Sequence, residues 1–464
     1  MGLSFTGKCY MAFIALMLMP ALSLVSQTKK YSLASLVDKA QNYLPVLLQK
    51  KALINGAIAR VTDTRHSFLP QLKFSEQLNI GTANSIEGSF FTLGMTPATS
   101  GSIRSENNPR LATGNIAVLY SEYELENFGL NDAKLNNAKA YVGLEESGFK
   151  KELYFIRINI AKLYFNILKT QNRLNADSQN INRYQKIFTV IQALTASGVI
   201  AGADSSLAKA ELSKTKITYN QTLGNLIQLK EQLSYLTGVP ASVLVLDTLV
   251  NNSVKSKPME MLLINGMASN PLVDYFAQKK NILLTNERLI KKSYLPKILL
   301  AGSLWARGSS IQYNDNYKSL STGLGYQRFN YAVGLVFTYN LFNSIYKKDK
   351  LSINRYQIQA SDYDLQQQKL ALASSVRQAE NALQTTNAIL KELPVQLKSS
   401  EDTYNQKLAQ YKAGIISLID LTNASFVLYR SQTDYIENLN DWYLAQLDKS
   451  AANNNLIQFI QTLK

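Results

Sequence analysis

Residues that carry redox, metal or nucleophilic chemistry are almost absent from this sequence. Its 464 residues include one cysteine, Cys9, and one histidine, His66. A single cysteine excludes an intramolecular disulfide, and His66 has no cysteine or acid cluster beside it at metal-ligand spacing. The loop glycines form no phosphate-binding motif. We therefore expect a protein that is not an enzyme and that holds no metal or cofactor, and we interpret His66 as a surface or packing residue.

Charged residues are also scarce, at 18% of the chain, and they leave a net charge of +16. The lysines and arginines are scattered singly, without a dense basic run or interleaved aromatic residues. A solvated basic surface is therefore favoured over a nucleic-acid partner. After residue 26 no apolar run approaches the roughly 20 residues that a spanning helix needs. If the chain crosses a membrane, it does so with strands.

A secretory signal peptide is predicted over residues 1–26. Lys8 precedes an apolar run at positions 11–19, and small residues follow that run. This order is typical of a signal peptide cut before Gln27. A membrane anchor is the alternative, but the apolar run is shorter than a spanning helix requires. Cys9 lies ahead of the run, so it is not the acylated residue of a lipoprotein.

An internal duplication organises the chain. Pro45 and Pro70 are 25 residues apart, as are Pro271 and Pro296, and the two pairs are offset by 226 positions. Further matches keep an offset of 216: Gly198 with Gly414, Asp204 with Asp420, and Tyr219 with Tyr435. We predict a first repeat at 27–240, a linker at 241–257 and a second repeat at 258–464.

Each repeat is predicted to contain a helix, a β-hairpin and two long helices. Pro70 and Pro296 each remove an amide and restrict the preceding residue, so the first helix ends there and a strand follows. The hairpins are expected at about 70–125 and about 296–342. Apolar residues alternate with small or polar ones along both, although Glu76 interrupts the apolar face of the first. The loops at 83–113 and 308–329 are expected at the far ends of the hairpins.

Apolar residues recur in steps of three and four along the helical region of each repeat. The predicted seams are Ile160, Leu163, Ile167, Thr170, Leu174 and Val376, Ala379, Leu383, Thr386, Leu390. Such spacing is typical of coiled coils, although an ordinary helical bundle fits it as well. From 344 to 411 only Pro394 interrupts the pattern, and we expect a kink there. At ~1.5 Å per residue this helix is about 100 Å long.

The number of strands predicts an assembly. Four candidate membrane strands cannot close a barrel, because transmembrane barrels need about 8 or more and open edges are not tolerated in lipid. The leading hypothesis is therefore a passive conduit to which several copies contribute. The alternative is a periplasmic coiled-coil scaffold or adhesin with no pore. Long seams fit both hypotheses, whereas the repeated alternating hairpins fit only the conduit.

Three features carry a resemblance to a known family: the duplicated proline–strand junctions, the Tyr-x-Leu-Phe-Asn stretch at 339–343, and the segments 197–200 and 411–421. Together they resemble the TolC-type outer-membrane efflux channels across nearly the whole mature chain. The resemblance implies an α+β membrane protein, a homotrimer in which a long α-helical coiled-coil barrel continues a transmembrane β-barrel with four strands per subunit.

The same resemblance implies a location and partners. It places the chain among the lipids of the outer membrane of a diderm bacterium, with a long periplasmic portion. The implied partners are a periplasmic membrane-fusion adaptor and an inner-membrane pump. The chain would be the exit duct of a tripartite efflux or type I secretion system, a passive conduit that the pump energises.

Site residues follow from the resemblance at the tips of the helical hairpins. The tips, where the adaptor would dock, map onto Gly198, Val199, Ile200, Gly414, Ile415 and Ile416. The periplasmic gate or constriction maps onto Asp204, Tyr411, Ile416, Asp420 and Asn423. Ile416 and Asn423 stand where other members carry a basic gate residue or a second acid. We therefore expect a looser or more apolar constriction than one latched by salt bridges.

Each of these positions in the turns, the glycines and the aspartates, has two physical interpretations. A tight turn between helices needs a residue that tolerates left-handed backbone angles, which fits Gly198 and Gly414 as tips or as plain helix C-caps. Copies of Asp204 or Asp420 around a narrow axis would form an acidic ring that attracts cations. Both aspartates also lie where the returning helix needs an N-cap, so capping is an equal alternative.

Overall fold

The computed structural model describes residues 30–85, 103–199, 201–247 and 270–463. The predicted signal peptide and residues 248–257 of the predicted linker lie outside the described residues. The helices are α1 (Leu33–Tyr43), α2 (Pro45–His66), α3 (Leu130–Ala196), α4 (Gly202–Thr237), α5 (Pro271–Ser293), α6 (Asn343–Lys412), α7 (Leu418–Ala452) and α8 (Leu456–Thr462). The strands are β1 (Lys30–Tyr31), β2 (Gln71–Gly81), β3 (Ala112–Glu126), β4 (Val245–Leu246), β5 (Lys297–Ser309), β6 (Ile311–Gln312), β7 (Asn316–Tyr317) and β8 (Arg328–Thr338).

Proline sets the helix boundaries ahead of both hairpins. α2 ends at His66 and β2 begins directly after Pro70, while α5 ends at Ser293 and β5 begins directly after Pro296. The predicted helix–strand junctions at these prolines are therefore confirmed. The single helix expected before the first hairpin is instead two helices, because Pro45 holds the preceding Leu44 in extended backbone (φ −67°, ψ 122°).

The two predicted hairpins form one antiparallel sheet with the strand order β2-β3-β5-β8. Leu119 pairs with Phe74 on one side and with Leu304 on the other, and Leu304 pairs with Tyr331. Directly opposite residues share a face of a sheet, so these four side chains lie on one face. This apolar face is exposed in the single chain, with Phe74, Leu304 and Tyr331 all largely accessible. The opposite, polar face carries the alternate residues, and the predicted alternation is confirmed for β2, β5 and β8. In β3 the apolar Ile116, Val118 and Tyr120 lie on the polar face, where they pair with Gln77, Ser75 and Lys73.

Glu76, the exception on the apolar face, has a partner in the loop between β5 and β8. The Tyr326 hydroxyl lies 2.7 Å from both carboxylate oxygens of Glu76. The same loop bonds to β3, where the Asn115 amide donates to the Leu324 carbonyl at 2.8 Å. The loop is thus more ordered than the sequence predicts, with β6, β7 and two short 3-10 turns within it. Its backbone groups find partners on the sheet, which composition alone does not reveal.

Replacing Tyr326 with phenylalanine should loosen this loop. The substitution removes the hydroxyl that donates to a charged carboxylate, so the open population of the loop should rise by roughly two- to fivefold. Trypsin cleavage after Lys318 in detergent-solubilised protein should accelerate by about that factor. Tyr313→Phe, at an exposed tyrosine of the same loop, is the control and should leave the rate unchanged. Equal rates in both variants would contradict an anchoring role for Tyr326.

The described residues fall into two units, and the chain passes between them at Leu44–Pro45, within α3 and within α6. One unit contains the four-stranded sheet, α2, α5 and the sheet-proximal parts of α3 and α6 (45–85, 103–153 and 270–373). Within it, three cation–π contacts join α2 and its C-terminal extension to α3: Lys51 with Phe149, Arg60 with Tyr141, and Phe68 with Lys134. The long stems of these basic residues cover aromatic rings while their charges stay solvated.

The other unit is helical (30–44, 154–199, 201–247 and 374–463), apart from the parallel pair β1–β4. Its core is aromatic: the Phe165 ring stacks on Tyr443 with centroids 4.9 Å apart, and Phe459 of α8 lies 6.2 Å from Phe165. The hydroxyl of the buried Tyr164 donates to the Asp247 carbonyl at 2.8 Å. Stacked rings of this kind give a large apolar burial with defined geometry.

The predicted helical seams are buried at six of their ten positions. The buried residues are Ile160, Ile167 and Thr170 of α3 and Ala379, Leu383 and Thr386 of α6, whereas Leu163, Leu174, Val376 and Leu390 are partly accessible. The Thr170 and Thr386 hydroxyls donate to the carbonyls four residues earlier, which satisfies them within their own helices. α6 runs unbroken through Pro394 as one helix of 70 residues. In the part of the chain that the structure describes, no helix combines the length and apolar character needed to cross a bilayer.

Candidate functional site

The two helix-to-helix turns have the same backbone geometry. Gly198 (φ 75°) and Gly414 (φ 73°) are left-handed, as predicted. The amide after each glycine bonds to a carbonyl five residues back, at 3.0 Å from Val199 to Leu194 and 2.9 Å from Ile415 to Gln410. Each glycine amide also bonds three residues back, which completes a Schellman motif. Any other residue at either glycine would be strained, because a Cβ disfavours this backbone region.

Asp420 belongs to the cap of the returning helix α7. The Ser417 hydroxyl accepts from the Asp420 amide at 3.2 Å, and the Asp420 carboxylate accepts from the Ser417 amide at 3.2 Å and its hydroxyl at 2.6 Å. This reciprocal pair is a capping box, with Ser417 rather than Asp420 as the N-cap. The bonds from the Ser417 hydroxyl and amide lower the pKa of the exposed Asp420 carboxyl. The carboxylate is therefore charged at neutral pH.

Asp204 does not cap its helix. α4 begins at Gly202 with Ala201 as its N-cap, and no side chain accepts a capping bond there. The expectation that Asp204 stands at the N-cap position is therefore wrong, because the helix starts earlier than the sequence suggested. Asp204 lies in the first turn, where its negative charge is favoured by the helix dipole.

Tyr411 and Asp204 lie close enough to interact. Tyr411 is half-buried at the end of α6, where its ring packs against the cluster formed by Ile187, Ile191, Ala208, Tyr404, Leu418, Leu421 and Leu428. Burial raises the pKa of the Tyr411 hydroxyl, and the negative charge of Asp204 raises it further. The phenol therefore stays protonated at neutral pH and can donate. Two of the predicted gate residues, from different repeats, thus share one neighbourhood.

The remaining predicted residues that the structure describes lie in the turns or at the start of α7. Val199 is 68% exposed and Ile415 is 73% exposed, although both follow the glycine of a tight turn. Asn423 is exposed and Ile416 is partly buried. Ile200 lies outside the described residues. The tips therefore present apolar side chains to solvent, an arrangement that fits contact with another protein.

A groove runs beside the turns between α3 and α6. It has a volume of about 380 Å³ and is lined mainly by apolar groups, among them Ile187, Val190, Leu408, Tyr411 and Leu421. Lys186 and Lys412 also line it. In the single chain this groove is an apolar surface next to the candidate gate.

Sequence reasoning missed a polar seam between α3 and α7. The Tyr429 hydroxyl donates to the carboxylate of Asp177 at 2.6 Å, and Asp177 is only 1% exposed. Farther along, the Arg173 guanidinium pairs with the Glu437 carboxylate at 2.7 Å, both partly exposed. Extending the predicted spacing by three from Leu174 reaches Asp177, so a signal was present in the sequence. An aspartate in a buried stripe indicates a specific partner.

Metal binding has no support in the part of the chain that the structure describes. Those residues contain no group of three or more His, Cys, Asp or Glu side chains that could hold an ion. The sequence expectation on this point stays a prediction for the whole chain.

Comparison with known proteins places these features in a wider group. A family model described as outer membrane efflux protein matches residues 36–239 and 288–451, more than half of the chain. Outer membrane protein TolC of Escherichia coli (strain K12) is 19% identical over 434 residues, 92% of this chain and 83% of that protein. Toxin and drug export protein A of Aggregatibacter actinomycetemcomitans is 22% identical over 367 residues, 74% of each chain.

A solved structure has the same fold. The outer membrane protein VceC from Vibrio cholerae superposes with a TM-score of 0.71, over 91% of this chain and 95% of that one. The two sequences are 13% identical, so the likeness concerns the fold alone.

Proposed function

The chain belongs to the outer membrane efflux protein family, and from that premise we propose that it is the exit duct of a tripartite efflux or type I secretion system. Its location is the outer membrane, and its family is one of TolC-type transport conduits and not of enzymes. In the proposed role the chain supplies a passive path from the periplasm to the exterior. An inner-membrane pump supplies the energy through a periplasmic adaptor.

The observation that carries this proposal is the exposed apolar face of the four-stranded sheet. Aromatic and aliphatic side chains such as Phe329, Val333 and Phe337 cover that face and are each more than two-thirds accessible. A water-soluble scaffold would leave this surface in contact with water, which costs about 25 cal/mol per Å² of apolar area. Contact with lipid tails removes that cost. The alternative, a periplasmic scaffold or adhesin with no pore, does not explain the face.

The edges of the same sheet support an assembly of several copies, which we propose is a homotrimer. β2 and β8 are the outer strands of the order β2-β3-β5-β8, so each has one side without a partner strand among the described residues. In a bilayer such an edge is not tolerated, because no water is present to bond its amides and carbonyls. Pairing β8 of one copy with β2 of the next satisfies both edges. Three copies then give a closed barrel of twelve strands.

The helical tips are the proposed gate and the adaptor site. Asp420 from each copy would line an acidic constriction, with Asp204 and Tyr411 beside it, while Ile416 and Asn423 leave that constriction without a basic latch. The exposed Val199 and Ile415 would meet the adaptor. Asp420 is exposed, charged and held in a fixed orientation by the cap, so its capping role and a role at the constriction are compatible.

Ion conductance in planar bilayers tests the conduit and its gate. We expect wild-type protein to be a trimer in detergent and to conduct with a preference for cations. Asp420→Ala should lower that preference, or the block by divalent cations, by about twofold or more, because it removes one charge per copy from the constriction. Ser417→Ala is the matched control, since it breaks the same cap but keeps the carboxylate.

The outcomes separate the two roles of Asp420. If Asp420→Ala changes the ion selectivity and Ser417→Ala does not, the acidic constriction is supported. If both variants have the same selectivity, Asp420 belongs to the cap only. A monomer that does not insert into bilayers would contradict the conduit itself.

A further inference from the structure

Two arginines lie side by side on the polar face of the sheet. Arg307 of β5 is the direct register partner of Arg328 of β8, so both side chains leave the same face. Like charges directly opposite each other on neighbouring strands destabilise a sheet. The backbone nevertheless holds this register beyond the pair, where the Gln327 amide bonds to the Arg307 carbonyl at 2.7 Å.

The charge of this arginine pair is not neutralised on its own face. Both side chains are exposed, and the guanidinium of Arg328 donates to the neighbouring Gln327 carbonyl at 2.9 Å, which removes no charge. On this face, the residues paired with the two arginines and those two positions away along each strand are Gln, Ile, Trp, Asn, Val, Ser and Gly. None of these residues of the described strands is acidic.

Acidic residues occupy the opposite end of the polar face. Glu122 pairs with Ala301, six residues from Arg307 along β5, or about 20 Å at strand spacing. Glu124 lies farther still and is bound to Lys297 at 2.6 Å. The polar face therefore carries the unneutralised arginine pair at the end where the long loops join the strands, and both acidic and basic residues at the end where the helices begin.

We propose that Arg307 and Arg328 form an anion-attracting site that concentrates small anions at the loop end of the sheet, distinct from the cation-attracting constriction proposed at Asp420. The class of ligand is a small anion with carboxylate or phosphate chemistry, for which the guanidinium fork provides paired donors. The site lies on the polar face, opposite the apolar side chains, so it is open to aqueous solutes and not to lipid headgroups. As an element of selectivity the site rests on the proposed conduit, in which each copy would add one pair to the exit.

Tryptophan fluorescence tests the site without requiring an open pore. The chain has two tryptophans, and Trp305 lies on the polar face two residues from Arg307, whereas Trp442 is buried. In a Trp442→Phe background, quenching by iodide is compared with quenching by neutral acrylamide at constant low ionic strength. If the pair concentrates anions, the iodide quenching constant of Trp305 should exceed the value expected from the exposure that acrylamide quenching reports.

Substitutions at the pair give the decisive comparison. Arg307→Gln with Arg328→Gln should lower the ratio of the iodide to the acrylamide quenching constant by about twofold or more. Arg307→Lys with Arg328→Lys keeps both charges and should retain the ratio, as should Lys318→Gln at an exposed loop lysine. An unchanged ratio in the double glutamine variant would overturn the proposal.

Reversal potentials across a salt gradient distinguish this proposal from the conduit. Compared with wild-type channels, channels that carry Arg307→Gln and Arg328→Gln should show a lower relative permeability to chloride. A channel that conducts with unaltered selectivity overturns the role of the pair in selectivity, and a protein that never conducts contradicts the conduit. The quenching ratio decides the presence of the anion site in either case.

Discussion

Phe165→Ala is expected to destabilise the helical unit by about 3–5 kcal/mol, the cost of removing a large buried ring and leaving a cavity. Phe165 is only 1% exposed, and its ring stacks on Tyr443. Trp442 lies 5.2 Å from Tyr443 in an edge-on arrangement, so its fluorescence reports on this core. The measurement is the denaturant midpoint of the Trp442 signal in detergent, with Trp305 replaced by phenylalanine.

Phe155→Ala on the same helix is the matched control. Phe155 is 43% exposed, so its removal should cost about 1–2 kcal/mol and leave no enclosed cavity. If the two variants shift the midpoint equally, the aromatic stack does not carry the stability of this unit.

Tyr429→Phe is expected to lower the free energy of unfolding by about 3 kcal/mol, because it removes the hydroxyl that donates to the buried Asp177 carboxylate. The second oxygen of that carboxylate is buried without a hydrogen-bond partner, so the charge depends strongly on Tyr429. Thermal unfolding of the detergent-solubilised protein measures the loss. Tyr235→Phe, at a tyrosine on the surface of α4, is the control and should change stability little.

The same pair predicts an alkaline limit on stability. Burial raises the pKa of Tyr429 to about 12, with a further contribution from its bond to Asp177. A group whose pKa is raised in the folded state stabilises the protein below its ordinary pKa, and that contribution is lost as the pH rises through the folded value. Stability should therefore fall between about pH 10 and pH 12, and Tyr429→Phe should remove part of that fall. If the difference in stability between the wild type and Tyr429→Phe does not change with pH over this window, the assignment is contradicted.

Much of the architecture was predictable because it depends on local rules. Pro70 and Pro296 place the helix–strand junctions through the geometry of the proline ring, and the structure has both within a few residues. Gly198 and Gly414 were predicted from the need for left-handed backbone at a tight turn, and both adopt it. Alternation along β2 and β8 predicted which of their faces is apolar, whereas the apolar residues of β3 lie on both faces.

The candidate site was predictable only in part. The sequence matched Asp204 with Asp420 by position, yet α7 has a serine N-cap with a capping box and α4 has neither. That difference depends on where each helix starts, which varies by a few residues with packing. The bond between Tyr429 and Asp177 joins residues that are 252 positions apart. No local pattern specifies which of many tyrosines reaches a buried aspartate.

The sequence by itself determined the elements whose causes lie within a few neighbouring residues: the helices with their seams, the alternating strands, the proline junctions and the glycine turns. Only the tertiary structure decided the strand order β2-β3-β5-β8, which sets Arg307 beside Arg328, and the fold of the loop that covers Glu76. The physical reason is that register and long-range hydrogen bonds are selected by the burial and pairing of the whole sheet. Those pairings place the charges that the proposed conduit would use.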